Sequence, residues 1–143
     1  MPSMARMPTR DTAPELALRS ALRRLRTGPV IANDSSLPGS PDAVLPAHKV
    51  ALFAHGCFWH HHAVCRCGRL PQQATYWRRK FRKNKARDIR NRDDLLKAGW
   101  KVAWVWECAV VGRKAMAEAS LDATLQGLIR GQSQFVEISG PAA

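Results

Sequence analysis

The chain has 143 residues, which is room for one domain built around a single hydrophobic core. Hydrophobic residues make up 45% of it, so the chain is expected to fold, and an intrinsically disordered protein is excluded. Lysine and arginine number 23 against 11 acidic residues, and the resulting formal charge of +12 indicates a polyanionic partner, for which nucleic acid is the first choice.

The N-terminal segment gives no sign of export or of membrane insertion. Residues 1–11 carry no apolar stretch of signal-peptide length, and we expect them to form an arm ahead of the domain. The longest apolar run, Val50 to Ala54, is much too short to span a bilayer. Basic proteins that bind a membrane surface usually carry an amphipathic or lipid anchor, which the sequence lacks. These features predict a cytoplasmic protein.

The first predicted element is a helix that begins after Thr12. Thr12 is suited to cap its first turn, Glu15 can reach back as the capping-box partner, and Pro14 is tolerated so early in a helix. An apolar stripe follows, and the arginines of the helix are expected to project away from it: the stripe is Leu18, Ala21, Leu22 and Leu25, and the arginines are Arg19, Arg23, Arg24 and Arg26. Gly28-Pro29 ends the helix, and the segment from Thr27 to Asn33 lacks a clear strand pattern.

The middle of the chain predicts two short strands and a long basic helix. The strands, Ala43 to Leu45 and Lys49 to Ala54, come directly after Pro41-Asp42. Residues 72–98 have the pattern of a long polar helix, which Gly99 ends. Basic side chains far outnumber acidic ones along it, so an electropositive face is expected rather than a merely solvated one. The basic residues are Arg78, Arg79, Lys80, Arg82, Lys83, Lys85, Arg87, Arg90 and Arg92.

The C-terminal third adds a strand and a helix. Lys101 to Cys108 alternates towards a strand, with Val102, Trp104 and Trp106 on one face. Leu121 to Arg130 is predicted to be the final helix, and residues from about 132 to 143 are expected to be a frayed tail. This order of elements predicts a single α/β domain in which a mixed central sheet is flanked by helices.

Residues 55–65 contain two thiols, four imidazoles and two adjacent aromatic rings. Four residues have the donor chemistry of a tetrahedral zinc site: Cys57, His62, Cys65 and the later Cys108. In a reducing compartment zinc is favoured over disulfides. Cys67 competes with Cys65 as the third ligand, and His61 is interpreted as part of a solvated loop.

Phe58 and Trp59 form an adjacent pair of flat, rigid side chains directly after the first of these cysteines. On a basic protein such a pair suggests a wedge that enters a stack of base pairs, although packing in the core is the simpler alternative. Asp42 lies a short strand upstream. The combination of metal ligands, aromatic wedge and acidic residue suggests a nuclease.

Several motifs resemble the very-short-patch repair endonucleases, and they occur in order between about Met4 and Arg113. They are Thr9-Arg10-Asp11-Thr12-Ala13-Pro14-Glu15, Leu37-Pro38-Gly39-Ser40-Pro41-Asp42, His55-Gly56-Cys57-Phe58-Trp59-His60, Gly99-Trp100-Lys101-Val102 and Val105-Trp106-Glu107-Cys108. The Gly-Cys-Phe-Trp-His string is the most specific of them.

The resemblance implies a restriction-endonuclease-like core with a structural zinc. It implies an enzyme that nicks double-stranded DNA on the 5′ side of the thymine in a T·G mismatch, which arises by deamination of 5-methylcytosine. It also implies a monomer that is associated with the bacterial nucleoid and linked in function to a cytosine-C5 DNA methyltransferase.

The resemblance also implies roles for individual residues. Asp42 and the backbone carbonyl of Ala54 would hold Mg²⁺, His60 would be the base for the attacking water, and His55 and Glu15 would support them. The zinc ligands would be Cys57, His62, Cys65 and Cys108. Phe58, Trp59 and Trp77 would open the stack from the major groove, and Met4 would enter from the minor groove.

The chemistry of phosphodiester hydrolysis is compatible with these residue types. A metal neutralises charge on the phosphate, Mg²⁺ accepts few protein ligands, and a neutral imidazole can take a proton from water near pH 7. A zinc-stabilised DNA-binding module without hydrolytic activity remains an alternative. A nucleobase deaminase is disfavoured because its His-x-Glu and Pro-Cys-x-x-Cys strings are absent.

Overall fold

The computed structural model describes residues 12–56, 74–112 and 115–140, apart from the side chains of Ala74 and Trp77. Its helices are α1 (Ala13–Leu25), α2 (Ala74–Lys97), α3 (Glu107–Val110) and α4 (Glu118–Arg130). Its strands are β1 (Ile31–Ala32), β2 (Ala43–Leu45), β3 (Val50–His55), β4 (Lys101–Trp106) and β5 (Phe135–Ile138), and a short 3-10 turn, Pro46–His48, joins β2 to β3.

The strands form one mixed sheet in the order β1-β2-β3-β4-β5. β1, β2 and β3 pair antiparallel, whereas β3, β4 and β5 pair parallel. Parallel neighbours need a long crossover, and the β3–β4 crossover contains α2. The predicted α/β domain with a mixed sheet is confirmed.

The two faces of the sheet are covered by different helices. On one face α1 and α4 pack through Leu18, Leu22 and Leu125 against alternate residues of the inner strands. On the other face α2 packs through Leu95 against a cluster that includes Trp104 and Trp106. The predicted common face of Val102, Trp104 and Trp106 is therefore confirmed. Across the described ranges no helix is both long and apolar enough to cross a membrane.

Two predictions about elements were wrong, and one strand was not predicted. Residues 135–138 are not a frayed tail: they form β5, whose Ile138 is buried against the α1 and α4 side. The segment that lacked a strand pattern contains β1, which pairs with β2. The strand that was expected to reach Cys108 ends at Trp106 and turns into α3. In each case pairing or packing with distant residues decides the local structure, and periodicity does not report it.

Candidate active site

Asp42 is fixed at the start of β2, against the C-terminal half of β3. The antiparallel register places Ala43 opposite Leu52, so the preceding Asp42 lies opposite Phe53 and next to Ala54. The carboxylate oxygen Oδ2 of Asp42 accepts a 2.7 Å hydrogen bond from the backbone N–H of Ala54. Because the N–H and C=O of one strand residue point to the same side, the Ala54 carbonyl also faces the Asp42 side of the strand.

Glu15 brings a second carboxyl group to Asp42 from the first turn of α1. Its Oε2 accepts a hydrogen bond from the Thr12 N–H at 3.3 Å, so the predicted capping-box contact is confirmed. Glu15 is only 5% exposed, and its carboxyl group lies close enough to that of Asp42 to raise the pKa of Asp42. The cap that begins α1 thus also carries Glu15 into the site.

Arg19 does not project away from the apolar stripe, as had been predicted, but is 5% exposed beside Glu15. Its Nη2 lies 3.3 Å from Glu15 Oε2, and its Nε donates a hydrogen bond to the Glu15 backbone carbonyl, also at 3.3 Å. The i,i+4 spacing of Glu15 and Arg19 is the sequence signal that could have indicated this pair.

The surroundings of Asp42 raise the pKa of its carboxyl group from the ordinary value of 3.8 to about 7. Burial is the largest cause, and the negative charge and hydrogen bond of Glu15 add to it. The Ala54 N–H and the Arg19 guanidinium act in the opposite direction because both favour the ionised form. The site thus holds two close, poorly solvated carboxyl groups.

His55, the last residue of β3, is held in an aromatic environment and is 3% exposed. Its ring centroid lies 5.1 Å from those of both Trp104 and Trp106, and 6.0 Å from that of Phe53. Trp106 is its partner across the parallel β3–β4 pair. Packing on these sides restricts the orientation of the imidazole.

These residues open into a cleft of about 450 Å³ between the end of β3 and α2. The cleft is lined by Glu15, Asp42, Ala54 and His55 on one side, and by Arg87, Asp88 and Asn91 of α2 on the other. Sequence reasoning missed the contribution of Asp88 and Asn91, and it treated Arg87 only as part of a basic face.

Gly39 lets the loop before Asp42 approach α2 closely. It has a φ of +77°, and a Cβ atom built there would lie 2.8 Å from the side-chain nitrogen of Asn91. A larger residue at this position would push the loop that carries Asp42 away from α2. This contact gives a physical reason for the glycine in the Leu37–Asp42 motif.

Most of the remaining predicted site residues lie outside the described ranges. These are His60, Cys57, His62, Cys65, Cys67, Phe58, Trp59 and Met4, together with the side chain of Trp77. Cys108 is described: its sulfur accepts a hydrogen bond from the Gly140 N–H at 3.4 Å. Among the residues with described positions, no group of three or more His, Cys, Asp or Glu side chains is arranged to hold a metal ion.

Comparison with known proteins identifies the family. A family model described as DNA mismatch endonuclease Vsr matches residues 2–66. The DNA mismatch endonuclease Vsr of Escherichia coli is 40% identical over 140 residues, which cover 95% of this chain and 86% of that protein. The type II nicking enzyme V.XorIIP of Xanthomonas oryzae pv. oryzae is 43% identical over 110 residues, or 73% of this chain and 76% of that protein. V.NmeAIP, a type II nicking enzyme of Neisseria meningitidis, is 38% identical over 120 residues, which cover 80% and 81% of the two chains. The chain therefore belongs to the Vsr family of DNA mismatch endonucleases and is an endodeoxyribonuclease, as the motifs predicted.

Proposed function

We propose that the protein nicks double-stranded DNA on the 5′ side of the thymine in a T·G mismatch, the lesion left by deamination of 5-methylcytosine. The observation that carries the proposal is the Asp42 carboxylate, which the Ala54 N–H holds at 2.7 Å and which lies beside the buried Glu15 carboxyl group in a cleft. The other wall of that cleft is the basic helix α2. The relatives of this chain include a mismatch endonuclease and nicking enzymes, and this supports a cut in one strand.

The donor set fits a Mg²⁺ ion held by Asp42 and the Ala54 carbonyl. Two close, poorly solvated carboxyl groups favour either a proton or a bound cation. Mg²⁺ needs only one or two protein ligands, because water and substrate phosphate complete its coordination, so a cage of three or more side chains is not required. When bound, the ion supplies charge neutralisation at the phosphate and a more acidic water.

The residues of the chain then orient the substrate and move the proton. Asp42 and Glu15 present their carboxylates at the floor of the cleft, and His60 would accept a proton from the attacking water. His55, restricted by its aromatic neighbours, supports this end of β3. Arg87 lines the cleft from the opposite wall, where its planar guanidinium suits a phosphate oxygen.

We further propose a structural zinc bound by Cys57, His62, Cys65 and Cys108. The N–H of Gly140 donates to the Cys108 sulfur, and ligating groups commonly receive such supporting hydrogen bonds. Elemental analysis should find one zinc per chain, and Cys57→Ser should unfold or precipitate the protein. Retention of the zinc in Cys67→Ser would leave Cys65 as the third ligand, whereas active protein without zinc would rule the site out.

Mismatch recognition is assigned to Phe58, Trp59 and Trp77 from the major groove, with Met4 entering from the minor groove. The enzyme would act as a monomer at the bacterial nucleoid, on sites that a cytosine-C5 DNA methyltransferase has modified. A non-catalytic DNA-binding module is not retained, because the relatives that cover most of the chain are named as endonucleases and nicking enzymes.

The test is nicking of a labelled duplex with one T·G mismatch, compared with the matched T·A duplex, with and without Mg²⁺. Asp42→Ala should bind the mismatched duplex but nick it at less than about a tenth of the wild-type rate, since phosphate contacts supply most of the affinity. Asp122→Ala, which removes an Asp on α4 that pairs with Arg24, is the matched control and should nick normally. Nicking of both duplexes alike, nicking without Mg²⁺, or an active Asp42→Ala enzyme would each contradict the corresponding part of the proposal.

A further inference from the structure

Arg19 is the only Arg or Lys among the described residues that is buried. Removing a guanidinium from water costs several kcal/mol, and a buried ion pair often contributes less to stability than apolar side chains of similar volume would. Core stability alone therefore does not account for a charged residue at this position of α1. Its location beside the active-site carboxyl groups points to a functional reason.

The contacts of Arg19 with Glu15 restrain both the backbone and the side chain of that residue. The guanidinium donates from Nε to the Glu15 carbonyl and from Nη2 to the Glu15 carboxylate. The same carboxylate oxygen, Oε2, also accepts from the Thr12 N–H. Two donors from the first turns of α1 thus hold the Glu15 carboxylate where it meets Asp42.

We propose that Arg19 is a positioning residue of the nuclease site, which holds the Glu15 carboxylate against Asp42 at the floor of the cleft. This inference rests on the proposed function, and it adds a residue that lies outside the motifs quoted above. Without the guanidinium, the repulsion between the two carboxylates would lose one opposing charge, and Glu15 would be less restrained in its rotamer.

The burial of Arg19 separates this role from the usual role of arginine in a DNA-binding protein. At 5% exposure the guanidinium does not reach a phosphate, so its removal releases no counterion contact. DNA affinity and its dependence on salt should therefore stay unchanged when Arg19 is replaced. The loss should appear in the cleavage step, where misplacement of a group by about 1 Å can cost 100-fold in rate.

The experiment is a double-mutant cycle between Arg19→Met and Glu15→Gln, measured as the single-turnover nicking rate of a T·G duplex at saturating enzyme and Mg²⁺. Arg19→Met should lower the rate by roughly tenfold or more, and it should cause no further loss in the Glu15→Gln background, because the two residues act as one unit. The dissociation constant for the duplex should stay within about twofold of wild type. Binding of Mn²⁺ to the enzyme–DNA complex, followed by electron paramagnetic resonance, should weaken in both single variants. Arg23→Met, one turn further along α1 at an exposed position, is the matched control and should change none of these values.

Arg19→Lys keeps the charge but loses the forked contact, and it repeats the cycle if Arg19→Met fails to fold. A rate for Arg19→Met within about twofold of wild type, or a loss that adds fully to that of Glu15→Gln, would overturn the inference. For Arg19→Lys the expected loss is about threefold or more, again absent when Glu15 is Gln, and an additive loss would have the same meaning. If wild-type enzyme does not nick the T·G duplex with Mg²⁺, the proposed function fails, whatever the Arg19 variants do.

Discussion

At Asp42 folding places a carboxyl group where its ionised form is disfavoured, and burial is the main cause. Such an arrangement costs stability, and groups with strongly shifted pKa values are concentrated at functional sites. A bound cation would remove the cost, because it stabilises both Asp42 and the neighbouring Glu15 in their ionised forms. In the metal-free protein this cost lowers the free energy of unfolding, and it is measurable as a dependence of stability on pH.

We predict that the metal-free protein becomes less stable as pH rises from about 4 to about 7. In this window the unfolded chain has lost the Asp42 proton, whereas the folded chain keeps it because the pKa is raised to about 7. The folded state therefore binds more protons, and this group's contribution to stability falls with pH before it levels off above 7. Asp42→Asn lacks this dependence, so its stability relative to wild type should improve by on the order of 3 kcal/mol between pH 4 and 8.

Urea unfolding of both proteins across this pH range, without added Mg²⁺, measures the difference. Parallel curves for wild type and Asp42→Asn would contradict the prediction. Added Mg²⁺ at pH 8 should stabilise wild type but not Asp42→Asn, by linkage of binding to folding. Asp122→Asn, in an ion pair on the other face of the sheet, should not change the pH dependence in this way.

The residues of the site differ in how far the sequence could identify them. Asp42, Glu15 and His55 were predicted from motifs, and the structure brings all three to one cleft. Arg19 was misplaced because a helical stripe drawn through apolar residues ignores an i,i+4 partner that makes burial of a charge tolerable. Asn91 and Asp88 depend on where α2 crosses the Gly39 loop, which is a tertiary contact without local signal.

At the scale of elements, long segments with a clear pattern were predicted well, and short ones were not. α1, α2 and α4 lie close to their predicted ranges, since each is long enough to show a helical pattern: an apolar stripe in α1 and α4, and in α2 a long polar run that Gly99 ends. β5 has only four residues, and it is held by contacts outside its own sequence. Its Phe135 ring packs edge-on against Trp104, and the Arg92 guanidinium of α2 lies 4.9 Å from the centre of the Phe135 ring. No local periodicity encodes such contacts.

Lys101 at the start of β4 joins the sheet to the end of α4. Its ammonium group donates to the carbonyls of Leu128, Ile129 and Gly131, at 3.0, 3.1 and 2.6 Å. These carbonyls lie at a helix C-terminus, where they lack partners within the helix and where a cation also interacts well with the helix dipole. We predict that Lys101→Met lowers the free energy of unfolding by about 1–3 kcal/mol, the cost of leaving charged hydrogen bonds unmade.

Equilibrium urea unfolding measures this loss, and Lys97→Met, which replaces an exposed lysine at the end of α2, is the control. The control should change stability by less than about 0.5 kcal/mol. An equally small change in Lys101→Met would mean that water replaces the lysine at the helix end. Nicking activity should be retained by both variants at temperatures where they are folded, because Lys101 lies at the opposite end of β4 from Trp106 and the cleft.

At the scale of the whole molecule, the positive charge of α2 extends along the helix as far as the cleft. α2 carries a groove lined by Arg79, Lys83, Arg87 and Arg90, beside the exposed ring of Tyr76. Arg87 lines both this groove and the cleft with Asp42. The predicted electropositive face is therefore present, and a DNA backbone bound along α2 would be continuous with the proposed active site.

If the proposed wedge provides selectivity for the mismatch, non-specific affinity and selectivity should each respond to a different variant. Lys83→Ala removes a groove cation, so it should weaken binding of T·G and T·A duplexes alike and reduce the slope of log affinity against log salt by about one.

Trp59→Ala should leave that slope unchanged but lower nicking of the T·G duplex strongly. The proposed wedge would act by separating stacked bases, which costs a few kcal/mol per step and is easier beside a weak wobble pair.

Binding titrations at several salt concentrations and single-turnover nicking, on both duplexes, distinguish these effects. If Trp59→Ala lost binding to both duplexes to the same extent and also unfolded more easily, Trp59 would be a core residue and the wedge would have to be abandoned. If Lys83→Ala instead lost selectivity for the mismatch, the groove would read the lesion rather than only the phosphates. We expect the salt dependence to change in Lys83→Ala and mismatch nicking to change in Trp59→Ala. The reason is that the two contacts differ in what they recognise. A phosphate contact is independent of sequence, whereas stacking depends on how firmly the base pair is held.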